Sequence, residues 1–542
     1  MTAHGYFERQ ATALLTEAAA DDLGRSTPSV YESGRLVSDA PWLAGHALRL
    51  HFLCTSQNPD GSWGSGEHGL VATLSAAEAL LSELTLRNSI HLPRPQLVHT
   101  AALAVTRLNN LLGDHLHPPA LPDTIEAGLI TPALIEQVQQ RLGHCGHANP
   151  PFLLPWAPSL LFAHPTGCRP AALARLRSAV YEGRALPQHL WRIWEILAPA
   201  TDRPHLCIRP RAGTVGCSPA ATAAWLGSPA TGSAQQRAGL SYLHRVQARY
   251  QGPVPATAPT TITERARIAA LFARHRIPHT PPPALISSLR SALDTNDAPS
   301  LLLDADETAT VLYVLLHHRE RLRPDHLMLH YTDDHFRRLP GEAAPSPVAN
   351  AHALETLALY TVRQAGDRGR YRTVLRQVLR WLLVQQQPDG SWHDSSHASP
   401  YYATACCTQA LATCAGPAAR PALARAAAWA LATGRPNGRW GRAPACTAEE
   451  TAYATWILLA GAPQSPAARH ALTAARRVLH HAHVSDRTPA LWYGKDTYAP
   501  LRILQATRLA ALHTLYHLPN PAPVPWQPAR AARTTHSPSG TP

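Results

Sequence analysis

A tight turn followed by a tryptophan recurs along the chain and constrains the fold more than any other feature. Gln57-Asn58-Pro59-Asp60-Gly61-Ser62-Trp63-Gly64 is echoed by Gln387-Pro388-Asp389-Gly390-Ser391-Trp392. A looser copy is Arg435-Pro436-Asn437-Gly438-Arg439-Trp440-Gly441. In such a turn Pro presets φ and Gly takes the positive-φ position. The Trp that follows packs back and pins the turn. Each copy precedes a helical run of small residues, at 74–81, 402–411 and 451–459. A fourth run, 218–226, follows Gly213-Thr214-Val215-Gly216-Cys217, which reads as a degenerate copy. A repeated helix–turn–helix unit closed on itself predicts an all-α chain built as α/α-barrels, or toroids. No convincing strand alternation competes with this reading.

The copies fall into two groups, around 57–226 and 387–459. Between them lie the Pro-rich stretches 251–259 and 278–283. The expectation is therefore two helical barrels joined near residue 280. The segment 518–542, rich in Pro, Ser, Thr and Arg, is expected to be a disordered tail. Hydrophobic residues make up 45% of the chain, with only 6 Phe and 2 Met. That composition favours helices packed closely through alanine.

The formal net charge is +13, which would suit an anionic partner. Of the 49 basic residues, however, 48 are arginine and Lys495 is the single lysine. The arginines are scattered rather than striped along one element, so codon bias explains them and nucleic-acid binding is not expected. Nine cysteines without a CxxC pair suggest neither a disulfide framework nor a zinc site, and a reducing cytoplasm fits. The start, Met1-Thr2-Ala3-His4-Gly5-Tyr6-Phe7, has no basic and apolar regions of a signal peptide. No uncharged apolar stretch is long enough to predict a transmembrane helix.

The chemistry concentrates at Asp304-Ala305-Asp306-Glu307-Thr308. Leu301-Leu302-Leu303 precede these acids and Val311-Leu312-Tyr313-Val314-Leu315-Leu316 follow. Apolar flanks predict burial, and packed carboxylates in an apolar site cannot all ionise. At least one should hold its proton near neutral pH, ready to protonate something weakly basic. A plain helix N-terminus is the competing explanation, since Asp caps well and acids favour the first turn. Capping needs one acid, which leaves two without a role.

Asp304-Ala305-Asp306-Glu307-Thr308-Ala309 resembles the Asp-x-Asp-Asp-Thr-Ala signature of class II terpene cyclases. Ser29-Val30-Tyr31-Glu32-Ser33-Gly34 resembles the Ser-Ala-Tyr-Asp-Thr-Ala start of the diterpene branch, and the Trp63 and Trp392 turns look like the family's Gln-Trp motifs. Gly216-Cys217-Ser218-Pro219-Ala220-Ala221-Thr222, Asn350-Ala351-His352-Ala353-Leu354 and Leu491-Trp492-Tyr493-Gly494-Lys495-Asp496-Thr497-Tyr498 are similar to the bacterial members. The motifs keep their order over most of the chain.

This resemblance implies a β and a γ helical domain with the active site between them. Residues 1–24 would form the first β-domain helix, 25–280 the inserted γ domain and 281–517 the rest of β. It implies protonation of the terminal alkene of a linear prenyl diphosphate, ring closure by neighbouring double bonds, and loss of a proton with the diphosphate retained. The expected substrate is geranylgeranyl diphosphate and the product a bicyclic, labdane-type diphosphate, making the chain an isomerase-type intramolecular lyase. Asp306 would be the proton donor, with Asp304 and Glu307 raising its pKa. Glu307 departs from the family's Asp, and its extra methylene moves the carboxylate by roughly 1 Å, enough to matter in a catalytic site. Asn350 and His352 would hold a water that removes the final proton, or His352 would hydrogen-bond the acid and help reprotonate it. Lys495 would contact the diphosphate, aided by Arg439 and Arg442. Ser395 and Ser396 stand where some relatives carry a further basic residue. The cofactor implied is Mg²⁺, with Glu67 a candidate ligand.

Other readings are the same chemistry on farnesyl diphosphate to a drimane-type product, a squalene–hopene-type cyclase, and a non-catalytic toroid that binds a prenyl chain. Two sequences mimic class I metal motifs. In Asn296–Asp304 an internal Pro299 breaks the required helix, and Asp333-Asp334-His335-Phe336-Arg337 lacks the final acid. No ionisation of the diphosphate is expected, so a downstream class I synthase or a phosphatase would act next.

Overall fold

The computed structural model describes residues 3–64, 66–86, 92–114, 117–147, 159–210, 213–228, 232–293, 303–339, 345–363, 368–441 and 446–518. The expected tail lies almost wholly outside these residues. The described chain is helical apart from isolated bridges and one two-stranded hairpin, Trp492–Tyr493 with Thr497–Tyr498. That hairpin is the one strand pairing the sequence reading did not anticipate.

The repeated turn has one geometry. Gly61, Gly390 and Gly438 have φ of 86°, 100° and 74°. A Cβ on them would stand 2.3 Å from Leu103 O, 2.6 Å from Arg425 O and 2.4 Å from the Ala474 Cβ. Glycine is required both for φ and for the approach of the next helix. The three Trp side chains are buried, and each indole N–H donates to a carbonyl ten residues earlier: Leu53, Leu382 and Ala430. The geometry also corrects the sequence alignment. Gln57 Nε2 donates to Gly61 O and Thr100 O, and its counterpart is Gln386, not Gln387, donating to Gly390 O and Ala422 O. The degenerate copy keeps the plan. Gly213 has φ of 77° and packs on Ala238 O, while Val215 stands where the tryptophans stand. Its amide donates a hydrogen bond to the following helix, at Thr222 Oγ1, as the Trp63 amide does to Thr73 Oγ1.

Helices such as Leu70–Leu86, Pro400–Cys414 and Ala448–Gly461 are buried nearly all round. Outer helices such as Pro466–His481 show one apolar stripe. Inner and outer layers of this kind make two toroids, each with its own core. One core runs from Leu23 to Ala258; the other combines Phe7–Ala18 with residues from Ala266 to Leu515. The N-terminal helix Ala3–Ala20 packs on Thr261–Arg274 and Leu501–Tyr516, in the second core. The boundary thus falls near residue 260, about twenty residues before the expected 280, because the Thr261–Arg274 helix turns its apolar face into the second core.

Candidate active site between the two toroids

Asp304 caps the helix Ala305–His317, accepting the Glu307 amide at 2.8 Å. The capping reading is therefore correct for this acid. The cap fixes the other two at the first turn, one on each side of the helix start. Asp306 points into the protein and Glu307 toward the neighbouring Thr261–Arg274 helix, where the Thr263 hydroxyl donates to it.

Four helices converge on Asp306. Its Oδ1 takes a hydrogen bond from His352 Nδ1 at 2.5 Å, from helix Pro347–Arg363. Its Oδ2 takes one from Arg267 Nη2 at 2.5 Å, from helix Thr261–Arg274. Arg267 Nη1 also donates to the Tyr402 hydroxyl at 2.6 Å, on helix Pro400–Cys414. The guanidinium lies 4.9 Å from the centre of the Trp492 ring.

This arrangement redistributes the protons expected from sequence. Burial would raise the Asp306 pKa, but the cations Arg267 and His352 outweigh it and hold the carboxyl well below the usual range. Burial alone would lower the His352 pKa; the Asp306 carboxylate instead draws it up to about 9. The acid that keeps its proton near neutrality is Asp304, pushed up to about 8 by burial and by the charge of Glu307, with Arg338 opposing. The sequence predicted one protonated carboxyl. The family resemblance named Asp306 as the donor, and nothing in the motif reveals that Arg267, 37 positions upstream of the capping acid, folds against it.

Two cavities meet here. The larger is an open cleft between the toroids, about 1270 Å³ with the solvent at its mouth included. Asp304, Asp306 and Glu307 line it, with Arg25, Arg192 and Arg338. The second, about 450 Å³, is lined by Tyr402, Tyr453, Trp456 and Trp492, with His352 on its wall. Arg267, Trp492 and Ile503 face both. Tyr313 and Tyr360 line neither cavity: Tyr313 packs under Arg274 and Tyr360 edge-on to Tyr371.

Several expected site residues have other positions. Asn350 is buried; both of its amide hydrogens go to carbonyls, of Phe336 and Ser346, and its Oδ1 accepts the Phe336 amide. It ties a loop to a helix, and holding a catalytic water is not its task. Replacing it with Ala leaves buried backbone groups unpaired, at a cost of about 2 kcal/mol. Asn350→Ala should therefore melt earlier in a thermal scan while kcat per folded molecule is preserved.

Lys495 does not line the cleft. It is fully buried in the hairpin turn, 2.6 Å from Glu32 Oε1 and 2.8 Å from both Glu195 Oε1 and Ser218 Oγ. Beside it Asp496 accepts the Ser29 hydroxyl and the Tyr31 amide at 2.9 Å. Three motifs distant in sequence, around 29–34, 216–222 and 491–498, thus meet at one ion cluster that joins the toroids. The lysine's isolation in composition signalled a special site correctly, but the partners are buried carboxylates and not a diphosphate.

Arg439 is exposed in the third turn, away from the cleft, and Arg442 lies outside the described residues. Glu67 falls on the short 3-10 helix Gly66–Gly69, and its side chain is also outside them. The mimic motif 296–304 falls mostly outside the described residues, and Asp333 and Asp334 are exposed in a surface turn. Ser396 does line the cleft. The lining side chains that sequence reasoning did not single out are Arg25, Arg192, Arg267 and Arg338 in the cleft and Tyr402 in the adjoining cavity. Among 48 arginines no local signal distinguishes the four that line the cleft.

Two helical toroids with a carboxylate cluster at a helix start, facing a cleft between them, are the architecture of a class II terpene cyclase. Comparison with known proteins narrows this. Residues 344–487 match the model of the squalene-hopene cyclase C-terminal domain. The chain is 38% identical to an ent-copalyl diphosphate synthase of Streptomyces sp. (strain KO-3988), over 92% of this chain and 94% of that one. It is 37% identical to a labda-7,13-dienyl diphosphate synthase of Streptomyces clavuligerus, covering 94% of each. The solved ent-copalyl diphosphate synthase from Streptomyces platensis superposes with a TM-score of 0.86 at 41% identity, covering 94% of this chain and 99% of that one. The chain belongs to the class II diterpene cyclases, in the family of the bacterial copalyl diphosphate synthases. Among the described residues no helix is long and apolar enough to cross a membrane.

Proposed function

We propose that the protein cyclises geranylgeranyl diphosphate to a bicyclic, labdane-type diphosphate, protonating the terminal alkene from Asp306 and leaving the diphosphate in place. The observation that carries this reading is the position of Asp306, at the junction of an arginine-lined cleft and an aromatic cavity. A prenyl diphosphate has the same polarity: an anionic head and an apolar, π-rich tail. Arg25, Arg192 and Arg338 suit the head, since guanidinium forks match phosphate oxygens. The rings of Tyr402, Tyr453, Trp456 and Trp492 suit the tail, because aromatic faces stabilise a cation without trapping it.

Asp306 as donor needs the proton on its own carboxyl. His352 stays hydrogen-bonded to Oδ1, which makes the protonated carboxyl a stronger acid toward an alkene. Once the final proton leaves the product cation, His352 is placed to help restore the starting state.

Mg²⁺ enters in this reading as the counter-ion of the diphosphate, hence as part of the substrate. Among the described residues no group of three or more His, Cys, Asp or Glu side chains has the arrangement of a resident metal site. The retained diphosphate makes the product a substrate for a class I synthase or a phosphatase.

The test is a product assay. The protein is incubated with geranylgeranyl or farnesyl diphosphate and Mg²⁺, the products are dephosphorylated, and the alcohols are identified. A bicyclic C20 alcohol is expected from the first, with chelation by EDTA lowering its yield. A bicyclic C15 alcohol formed preferentially would move the assignment to a drimane-type product. Unchanged linear alcohol from both would overturn the reading.

A further inference from the structure

The cleft and the aromatic cavity share a boundary formed by Arg267, Trp492 and Ile503, and the proposed reaction needs them as one chamber. The tail must reach Asp306 with its head among the arginines, and the growing cation must lie among the aromatic rings. Of these three residues Arg267 is the one bonded to the acid: its guanidinium stands at the boundary and donates to Asp306 Oδ2.

Arg267 is also incompletely satisfied where it stands. Nη1 and Nη2 have partners, but its Nε is buried without a hydrogen-bond partner. Leaving such a donor unpaired is costly. On the cleft side other partners are within the reach of a flexible side chain. Asp304 and Glu307 both line the cleft. Glu307 is held by Thr263, one helical turn before Arg267 on the same helix, so its carboxylate lies beside the path of the guanidinium.

We propose that Arg267 is a displaceable bolt: the incoming prenyl tail drives its guanidinium from Asp306 toward Glu307, merging the two cavities and opening Oδ2 to the substrate. The inference rests on the cyclase reading above. Asp306 is faced by Arg267 from one helix, His352 from a second and Tyr402 from a third. Asp304 and Glu307 flank it on its own helix, and Arg338 lies beyond Asp304. Of the two groups that donate to it, His352 has a short side chain with two rotatable bonds, and Arg267 has the longer one with more rotamers open to it. When Arg267 leaves, Oδ2 takes up a proton supplied by bulk solvent through the open cleft, the conjugate base staying in solution, and this protonated oxygen then faces the alkene. Arg267 is thus a positioning residue, acting on the acid and not on the substrate.

The probe is an analogue of geranylgeranyl diphosphate whose terminal double bond is saturated, so that it binds without being protonated. Its Kd is measured by calorimetry on the full chain, with thermal unfolding of each variant as a folding control. If the closed bolt restricts binding, removing it raises apparent affinity by the inverse of the open fraction, and Arg267→Gln should bind about tenfold tighter than wild type. Glu307→Gln should weaken binding in the wild-type background, where it removes the destination of the bolt. In Arg267→Gln it should have no effect, and this non-additivity is what a merely structural arginine does not produce. Arg267→Lys, with a shorter side chain and no fork to span Asp306 and Tyr402, should fall between wild type and Arg267→Gln. It also carries the test if Arg267→Gln does not fold. Equal or weaker binding by the Arg267 variants, or additive Glu307 effects, would overturn the bolt. A failed product assay with intact bolt behaviour would instead overturn the reaction assigned above.

Discussion

Asp306→Asn should abolish cyclisation of geranylgeranyl diphosphate, lowering kcat by about 10⁴-fold, near the upper end of what a general acid contributes. The amide keeps the shape of the carboxyl and can still meet His352 and Tyr402's neighbour Arg267, but it has no acidic proton to give. The change removes the carboxylate that draws the His352 pKa up. In the variant the buried imidazole therefore loses that support and favours its neutral form. Two readouts should move together: product formation, followed by analysis of the dephosphorylated alcohols, and the His352 titration, followed by NMR of the ring protons. Asp304→Asn provides the contrast. Asp304 holds its own proton near neutrality and caps the helix. Since Asn is also a good cap, this variant should fold normally and retain more activity than Asp306→Asn. Equal losses in the two would remove the distinction between donor and supporting acid.

Lys495→Met should produce the largest change in stability. The ammonium is enclosed by Glu32 and Glu195, and Ser218 completes its coordination. With the lysine gone, two carboxylates remain buried and face each other. Breaking a buried ion pair by removing one partner costs about 3–5 kcal/mol. Even with Lys495 present, burial pushes the Glu32 carboxyl up to about 7, with Lys495 opposing and Glu195 adding to the shift. The expected result is a lower denaturation midpoint. Adding Glu32→Gln and Glu195→Gln should recover part of the loss, because the uncompensated charges disappear. A folded Lys495→Met protein of unchanged midpoint and higher KM for the prenyl diphosphate would restore the diphosphate-contact role and show that the ion cluster around Lys495 is not a latch between the toroids.

The latch also explains why motifs that look catalytic in sequence serve architecture. Tyr31 donates to Glu195 at 2.5 Å, Glu32 accepts from Ser218 and the Ala220 amide, and Asp496 binds the Ser29 cap. These groups lie behind the cleft wall. They hold the hairpin whose Trp492, Tyr493 and Tyr498 do reach the cleft. The motif residues and the site residues are thus neighbours on the same hairpin, facing opposite directions.

What the sequence determined by itself is local and periodic. Pro-Asp-Gly and Asn-Gly turns followed by Trp dictate repeated units, because glycine alone accepts both their φ and the contact with the next helix. Small-residue helices after those turns dictate close-packed toroids, and apolar flanks around three acids dictate a buried acidic helix start. All of that depends on neighbours within a turn or two. The charge state of the acids depends on neighbours that the chain brings from far away. Arg267 and His352 approach Asp306 from two other helices, 39 and 46 positions distant, and reverse the expected order of Asp304 and Asp306. Lys495 lies 300 positions from Glu195, and their pairing turned an apparent ligand contact into a latch. Coulombic terms in a low-dielectric interior are set by distance in space, so only the tertiary structure could decide which acid carries the proton and which cation stands over it.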